Sequence, residues 1–428
     1  MAVIAGAALA SAALLLSGCS ASGQPAKQTS TSEKGVTLTF LNQSRGQQAA
    51  LEYLVKQYKK ETGVTVTVDS PGPADYLPKL QALAQSKQMP DVFSALNATS
   101  MAPFYKAGWA MDLTKELKGD WSKNFTPSVI KMATFVKGNN LGIKPGIYSA
   151  HWETQSYGIL ADPTASGISA DNLPKTTTAL IGKLAASNKA GKGGFSVAAS
   201  VSPYLLQYVA SNYLTDQQIS DTFAGKYSWT SSGWKKTFQF LADLREAGAI
   251  QNNALPGGQN DNPTVETNFF TKHSVAAYFD GTPGVSVAHA TSPDYTSYIS
   301  LPVPKASDGK YTPRAPGVPG KGAAVNPRGK HVQAALDFVK WLTDEAQQKA
   351  FVDQAYIIPT NPTLLASGKL PAPLQGFASS IKSLQVIPNT FSAPVADAIT
   401  RDSQQLVLGT MTVDQVVADV QTAQGGSQ

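Results

Sequence analysis

The sequence contains a single cysteine, Cys19, and only four histidines among 428 residues. One thiol cannot form a disulfide within the chain, and it cannot supply a cysteine-based zinc site. The histidines, which are His151, His273, His289 and His331, lack the close spacing that metal ligands usually have. We therefore expect no cofactor and no structural metal.

Charged residues are also scarce, because they make up 15% of the chain against about 25% in ordinary soluble proteins. The net charge is +6, but lysines and arginines occur singly or in pairs such as Lys59-Lys60. Without a basic run interleaved with aromatic residues, a nucleic-acid partner is not expected. The arginines that follow Cys19 are widely spaced, which disfavours a strongly anionic ligand; they are Arg45, Arg245, Arg314, Arg328 and Arg401.

An uncharged, largely apolar run from Ala2 to Leu16 is shorter than the about 20 residues of a membrane span but fits the apolar part of a signal peptide. It leads into Leu16-Ser17-Gly18-Cys19, which resembles a bacterial lipobox with Cys19 as the lipidated residue. No Lys or Arg precedes the run, so the true start codon is expected upstream of Met1. We therefore expect a signal peptide over 1–19, a flexible tether over 20–35, and an extracytoplasmic protein anchored to the bacterial membrane by lipid.

A chain of 428 residues is longer than a single hydrophobic core usually accommodates, so an α/β protein of two lobes is expected. Residues 36–41 and 64–68 alternate like strands, and 47–62 between them have helical apolar spacing. A β-α-β unit implies a parallel sheet, and ligands of such sheets bind beyond the carboxyl ends of the strands. Asn42 to Arg45 fall at such an end.

The same patterns predict further elements along the chain. Predicted helices cover 76–87, 100–108, 203–213, 233–247, 332–342, 345–353 and 413–422, and predicted strands cover 89–93, 195–200, 274–281 and 298–304.

The stretch from Gly146 to Pro163 combines Tyr148, Trp152 and Tyr157 with Glu153. Flat aromatic faces beside a carboxylate suit a polyhydroxylated ligand, since sugars need a surface to stack on and a strong acceptor. We interpret this stretch as a strand that crosses between the lobes and borders a ligand cleft. A core strand with a surface Glu remains the alternative.

Several segments form a set of motifs in a fixed order, namely Met89-Pro90-Asp91-Val92-Phe93, 106–114, 322–326, 334–342 and 345–362. In these motifs and in their order the chain resembles the extracytoplasmic sugar-binding proteins of ABC importers, the group typified by maltose-binding protein. The resemblance covers nearly the whole chain from Val36 to about Thr422.

The resemblance implies a two-lobe periplasmic-binding-protein-like fold of type II, hinged by crossing strands. The first lobe would comprise about 36–149 plus 304–343, and the second about 154–300 plus 344–424. Crossings are expected near 149–153, near 301–303 and at Thr343.

The resemblance also implies ligand contacts, and Glu153 takes the place of a sugar-binding carboxylate of the family. Asn42, Gln43 and Arg45 resemble hydroxyl contacts from the first lobe, with a solvated turn as the alternative. Asn97 matches a position that is often polar in the family.

From the second lobe, Tyr204 falls where an aromatic ligand contact is common. Asp280 and Gly281 match an Asp-Gly turn of the family, yet Thr282-Pro283 follows where an aromatic residue is frequent. That departure disfavours a long linear glucan. Trp152 is favoured as a stacking residue, although it lies on the strand face opposite Glu153. Trp229 is a further stacking candidate, and a position in the core is the alternative for it.

The expected function is capture of a sugar outside the cytoplasm by a monomer, and its delivery to the membrane permease of an ABC importer, without catalysis. One alternative is a surface glycoside hydrolase, which would need two carboxylates about 5–10 Å apart. Another is a binding protein of the same fold for a polyol or a peptide.

Overall fold

The computed structural model describes residues 35–258 and 260–426. The predicted signal peptide, the lipidation site Cys19 and all of the predicted tether except Gly35 lie outside the described residues. No helix within the described part is both long enough and apolar enough to cross a bilayer.

Strands and helices alternate from Thr37 to Lys106, and the rest of the described chain contains longer runs of one kind or the other. In chain order the strands are β1 Thr37–Leu41, β2 Thr65–Asp69, β3 Val92–Ala95, β4 Thr134–Phe135, β5 Gly146–Ile147, β6 Ala150–His151, β7 Thr154–Gln155, β8 Tyr157–Ala161, β9 Phe195–Ser196, β10 Ala277–Gly281, β11 Ile299–Leu301, β12 Val318–Pro319 and β13 Gly322–Val325.

Within the described residues the helices outnumber the strands, and most of them are longer. They are α1 Gln48–Thr62, α2 Pro73–Gln85, α3 Ala98–Lys106, α4 Pro127–Ala133, α5 Pro163–Ser166, α6 Thr177–Lys189, α7 Ser202–Ala210, α8 Asp216–Phe223, α9 Ser232–Glu246, α10 Asp261–Phe270, α11 Pro283–Thr291, α12 Val332–Leu342, α13 Glu345–Ala355, α14 Pro362–Ala366, α15 Gln375–Ile381, α16 Ala393–Leu408 and α17 Val413–Gly425. Single 3₁₀ turns occur at Glu116–Lys118, Asp120–Asn124, Ala199–Val201, Gln251–Asn253 and Ala372–Leu374.

The larger sheet has the strand order β2-β1-β3-β13-β6. Strand β1 is parallel to both β2 and β3, which confirms the predicted β-α-β unit. Strand β13 runs antiparallel to β3 and to β6. Because β1 and β3 are parallel neighbours, the polar residues that follow them emerge at the same edge of the sheet.

Helix α1 shows how the sequence specifies this half of the fold. Ala50, Leu51, Leu54 and Tyr58 recur at helical spacing and are buried against the sheet. Gly63 ends the helix at φ 79°, and its N–H donates to the carbonyl of Lys59, as a left-handed helix cap requires.

The smaller sheet has the order β11-β8-β10-β9 and its own hydrophobic core. Strand β8 is antiparallel to β10 and β11, and β10 is parallel to β9. Helices α16 and α17 pack against this core, and they bury Ile399, Val407 and Val417 there.

The chain passes from the larger to the smaller sheet between His151 and Tyr157, and it returns between Leu301 and Gly322. The short pair β7 and β12 lies on these two connections. Helix α13 buries Phe351 in the core of the larger sheet. The packing therefore does not change at Thr343, where the sequence-based boundary would assign 344–424 to the second lobe; the lobe limits stay a prediction.

Candidate functional site

A cavity of about 470 Å³ lies at the carboxyl ends of β1 and β3, a volume typical of small-molecule sites. The larger-sheet side contributes Gln43 and Arg45 after β1 and residues 95–98 after β3. Residues 317–321 line the cavity on the connection that returns to the larger sheet. The smaller-sheet side contributes Ser200, Tyr204, Gln207, Asp261, Asn262 and Pro263.

Side chains alternate along the strand that crosses between the sheets. Ser149, His151, Gln155 and Tyr157 line the cavity. Trp152 lies on the opposite side in the core of the larger sheet, because successive side chains of an extended strand point to opposite faces. The polar residues of this stretch, more than its aromatic ones, therefore face the cavity.

A chain of hydrogen bonds joins three cavity-lining side chains. The Tyr105 hydroxyl donates to Ser149 Oγ at 3.4 Å, and Ser149 Oγ lies 2.8 Å from His151 Nε2. His151 Nδ1 lies 2.8 Å from the Gly320 carbonyl, which can only accept. Burial lowers the pKa of His151 to about 4, with the Gly320 hydrogen bond acting in the opposite direction, so the ring is neutral near pH 7. Neutral His151 therefore carries its proton on Nδ1 and accepts from Ser149 at Nε2.

An aromatic stack reaches the cavity from the smaller sheet. The rings of Tyr204 and Tyr157 are parallel within 11° with centroids 4.5 Å apart, and Tyr157 stacks in turn on Phe279 at 5.8 Å. Phe279 is fully buried in strand β10. Tyr157 therefore packs on one face of Tyr204 and is itself backed by Phe279, which holds the Tyr204 ring in place at the cavity wall.

Glu153 lies beneath the wall of the cavity and is 0% exposed. Its carboxylate accepts from Gln47 Nε2 at 2.8 Å, from the backbone N–H of Lys321 at 3.3 Å and from Thr282 Oγ1 at 3.5 Å. Burial raises the pKa of Glu153, which the charge of Lys321 opposes. Gln47 also accepts from Trp152 Nε1 at 2.8 Å, so one amide joins the core indole to the carboxylate.

Lys321 itself lines the cavity, and its Nζ donates to Gln43 Oε1 at 3.1 Å. Burial lowers the pKa of Lys321 to about 8, although the Glu153 carboxylate favours the charged form. The ammonium therefore remains mostly protonated at pH 7.

A second group of buried charges surrounds Glu266 in helix α10, whose side chain is 3% exposed. Arg45 donates to both of its oxygens, at 2.6 and 3.1 Å. Asn262 Nδ2 donates to Glu266 Oε1 at 3.3 Å and lies 3.5 Å from both Asp280 oxygens. Burial, followed by repulsion from Glu266, raises the pKa of Asp280 to about 8. Asp280 is therefore mostly protonated at neutral pH.

Four of the predicted ligand contacts line the cavity, namely Gln43, Arg45, Asn97 and Tyr204. The Asn97 side chain also caps helix α3, where its Oδ1 accepts from the Ser100 N–H at 2.9 Å.

The other predicted contacts do not line the cavity. Asn42 is buried and donates to Ser70 Oγ at 3.1 Å, Asp280 is buried close to Glu266, and Gly281 is buried at the end of β10. Glu153, the predicted sugar-binding carboxylate, is not open to the cavity, because its side chain is 0% exposed and is hydrogen-bonded to Gln47 and to the backbone N–H of Lys321.

Two predicted stacking residues belong to the cores. The Trp152 ring is fully buried and stacks on Phe351, with centroids 5.3 Å apart and planes within 8°. Trp229 is fully buried near Trp234, at 4.3 Å between centroids. Neither ring is placed to stack on a ligand in this cavity, because both rings pack against core neighbours.

Several cavity residues carry no strong signal in the sequence. Tyr105, Asn262 and Lys321 lie on separate segments, and only the fold brings them to one cavity. Ser149 and His151 had an available signal, since polar residues recur at every second position of the crossing strand. Within the described residues, no group of three or more His, Cys, Asp or Glu side chains is placed to hold a metal ion.

The sequence profile of the bacterial extracellular solute-binding protein family matches residues 42–349. No curated protein matches the chain.

Similar solved structures share the fold at low sequence identity. A solute-binding protein of an ABC transporter from Thermotoga lettingae, bound to α-D-tagatose, has a TM-score of 0.76, 18% identity, and coverage of 92% of this chain and 100% of that one. The maltotriose-bound maltose/maltodextrin-binding domain MalE from Bdellovibrio bacteriovorus has a TM-score of 0.71, 17% identity, and coverage of 91% and 99%. The GacH receptor of Streptomyces glaucescens, studied unliganded and with acarbose, has a TM-score of 0.71, 18% identity, and coverage of 92% and 99%.

The raised pKa of Asp280 makes a prediction about stability. Between about pH 4 and 8 the folded protein keeps the Asp280 proton whereas the unfolded chain releases it, so this residue lowers stability progressively as the pH rises. We expect Asp280→Asn to increase the free energy of unfolding relative to wild type at pH 8 and to change it little at pH 4. Urea denaturation of both proteins at pH 4, 6 and 8 measures this difference in the free energy of unfolding. The titration of His151 affects wild type and variant alike, so it cancels in the difference. A difference that does not depend on pH would contradict the assignment.

Proposed function

Because the chain belongs to the bacterial extracellular solute-binding protein family, we propose that it binds an oligosaccharide outside the cytoplasm and delivers it to the permease of an ABC importer. The observation that carries the proposal is the cavity at the carboxyl ends of β1 and β3, which combines a supported aromatic ring with many neutral polar groups. Solved structures of the same fold bind tagatose and maltotriose, which supports a sugar as the ligand class.

The cavity has the two kinds of contact that a sugar needs. Tyr204 offers a flat face for the C–H groups of a pyranose ring, and the amides of Gln43, Asn97 and Asn262 offer donors and acceptors for hydroxyls. Arg45 adds a charged donor, which makes stronger hydrogen bonds than a neutral one. We propose Gln43, Arg45, Asn97 and Tyr204 as ligand contacts.

Closure of the two sheets over the ligand is the proposed mechanism. The Arg45–Glu266 ion pair joins the loop after β1 to helix α10, which packs on the smaller sheet. On another side of the cavity, Asn140 Nδ2 donates to the carbonyls of Phe223 and Thr390 at 2.9 and 2.6 Å. A ligand that contacts both sides binds the closed arrangement more tightly than an open one. This difference in affinity between the two arrangements drives closure.

The remaining parts of the proposal rest on the sequence. We propose that Cys19 carries the lipid anchor, that the protein acts as a monomer, and that it performs no catalysis. The family consists of binding proteins, and the cavity lining includes one acidic side chain, Asp261, whose oxygens accept from Ser200.

A thermal-shift screen followed by calorimetric titration tests the function. We expect at least one of maltotriose, stachyose, xylotriose and di-N-acetylchitobiose to raise the melting temperature, since a ligand that binds only the folded state stabilises it. Chromatography of each sugar after incubation with the protein should show it intact. Shifts for none of these sugars would contradict sugar capture, and released monosaccharide would favour the glycoside hydrolase.

Removal of the supported ring should weaken sugar binding. We expect Tyr204→Ala to lower the affinity for the bound saccharide by about tenfold or more, because the stacking surface is lost. Tyr204→Phe retains the ring and should stay within a few-fold of wild type. Titration calorimetry measures both, and equal affinities of wild type and Tyr204→Ala would remove Tyr204 from the site.

A substitution that touches no ligand tests closure. Gly46 has φ 76°, and a Cβ there would lie 2.4 Å from the Ser286 carbonyl carbon in helix α11. We expect Gly46→Ala to hold the two sides apart, so sugar affinity should fall about tenfold or more and the saturated protein should have a larger radius of gyration in X-ray scattering.

Gly138→Ala is the matched control, because Gly138 has φ 77° and no atom lies within 4 Å of a Cβ built there. Both variants carry the same backbone strain, of about 1 kcal/mol, but only Gly46→Ala adds a clash. Equal affinity and equal radius for the two variants would show that the contact at Gly46 is not needed for closure.

A further inference from the structure

The side-chain amide of Gln43 is held in one orientation by Lys321. Lys321 Nζ lies 3.1 Å from one end of the amide, and an ammonium group has N–H donors but no acceptor. The amide atom that faces the ammonium must therefore be the oxygen, Oε1, which leaves Nε2 at the other end. The backbone of Gln43 is fixed as well, because its N–H donates to Ser94 Oγ at 2.8 Å.

This amide lies at the wall of the cavity. Gln43 and Lys321 both line the cavity, and both are half-buried. Gln43 Nε2 makes no hydrogen bond within the described residues, yet it is not closed off from solvent as the hydroxyl of the neighbouring Ser44 is. The two N–H groups of Nε2 are therefore accessible to a ligand, and Lys321 sets the end of the amide that carries them.

The charge of Lys321 is maintained by the acids around it. The Glu153 carboxylate accepts from the Lys321 backbone N–H at 3.3 Å and favours the protonated amine against burial. The other charged groups that act on the amine are Arg45, Glu266 and Asp280. The resulting pKa is about 8, so the amine becomes neutral above this pH. A neutral amine has a lone pair that accepts, and the amide then fits either way round.

We propose that Lys321 is a positioning residue, whose charge fixes the Gln43 amide so that Nε2 donates to an oxygen of the ligand. The ligand group read at this position is an acceptor, such as a hydroxyl, ring or glycosidic oxygen of a sugar. The inference rests on the proposed function, and it adds the direction of one hydrogen bond and the residue that sets this direction.

Replacement of the amide by a carboxylate tests the direction of the bond. Gln43→Glu keeps the size of the side chain and an oxygen for Lys321, but it has no N–H for the ligand. We expect it to lower the affinity for the tightest-binding sugar of the screen by about 10- to 100-fold in titration calorimetry. Gln81→Glu, exposed in helix α2 and outside the cavity lining, should bind like wild type. If Gln43→Glu binds the sugar as tightly as wild type or more tightly, Gln43 accepts from the ligand and the inference is wrong.

A double-mutant cycle tests whether Lys321 acts through the amide. Lys321→Met should lower the affinity for the same sugar by about tenfold, but it should cause no further loss when Gln43 is already replaced in Gln43→Leu. Lys330→Met removes an exposed charge outside the cavity lining and should leave the affinity unchanged. Losses that simply add in the double variant would show that Lys321 acts independently of Gln43.

The pH dependence of the affinity separates the charge of Lys321 from its bulk. Wild type should bind the sugar up to about tenfold more weakly at pH 9.5 than at pH 7, because the amine loses its proton over this range. Lys321→Arg stays charged and should bind equally at both values. Asp280 titrates near pH 8 and His151 near pH 4, but both are present in the two proteins. A fall of equal size in Lys321→Arg would therefore contradict the inference.

Failure of the proposed function gives a different result. If wild type binds no sugar of the screen, the proposed function fails and this inference fails with it. If wild type binds a sugar and one of the contrary results above is found, the inference fails alone. Circular dichroism of each variant checks that the helix content is retained.

Discussion

The cavity depends on the alternation of side chains along the strand that crosses between the two sheets. Trp152 is fixed on the core side by its stack on Phe351. This fixes the opposite face, so His151 and Glu153 must point away from that core. A shift of one residue would turn the Trp152 indole towards the cavity and the His151 imidazole into the core. Such a shift is unfavourable, because the indole would lose its apolar neighbours and the imidazole its hydrogen bonds. The position of the polar wall is therefore set by hydrophobic packing behind it.

The buried charges next to the wall are organised by mutual pairing. Arg45 and Glu266 form a bidentate pair, and Glu153 accepts three hydrogen bonds. Such groups are costly to bury, and removing one partner typically costs about 3–5 kcal/mol. Their arrangement is thus rigid, which suits a site that must present donors and acceptors in fixed directions.

The sequence predicts those parts of the fold that local patterns determine. Helix α12 is predicted at its observed limits, 332–342, because its apolar spacing is regular. Helix α16, Ala393–Leu408, has no predicted counterpart, although Val395, Ile399 and Leu406 are buried at helical spacing. Its polar residues and the Pro394 at its start weaken the helical pattern. The helix is stabilised instead by the packing of 393–425 against the core of the smaller sheet.

The candidate site was predictable only where a residue follows a strand end or begins a helix. Gln43, Arg45 and Asn97 follow β1 and β3, and all three line the cavity. Trp152 and Trp229 were wrongly expected to stack on a ligand, because an aromatic residue in the sequence is equally compatible with a core and with a sugar site. The cluster of Asn262, Glu266 and Asp280 with Arg45 joins segments more than 200 residues apart, and no local pattern encodes that meeting.

The charge balance of the site constrains the ligand further. An anionic ligand that took Arg45 from Glu266 would leave a buried carboxylate beside Asp280 without its cation, and that cost would offset much of the new ion pair. A cationic ligand would instead meet Arg45 and the protonated Lys321 on the cavity wall. A neutral ligand avoids both penalties, since it can accept from the cations and donate to the neutral amides without disturbing either pair. The internal pairing of the charges therefore disfavours a charged ligand, which supports the proposal of a neutral sugar.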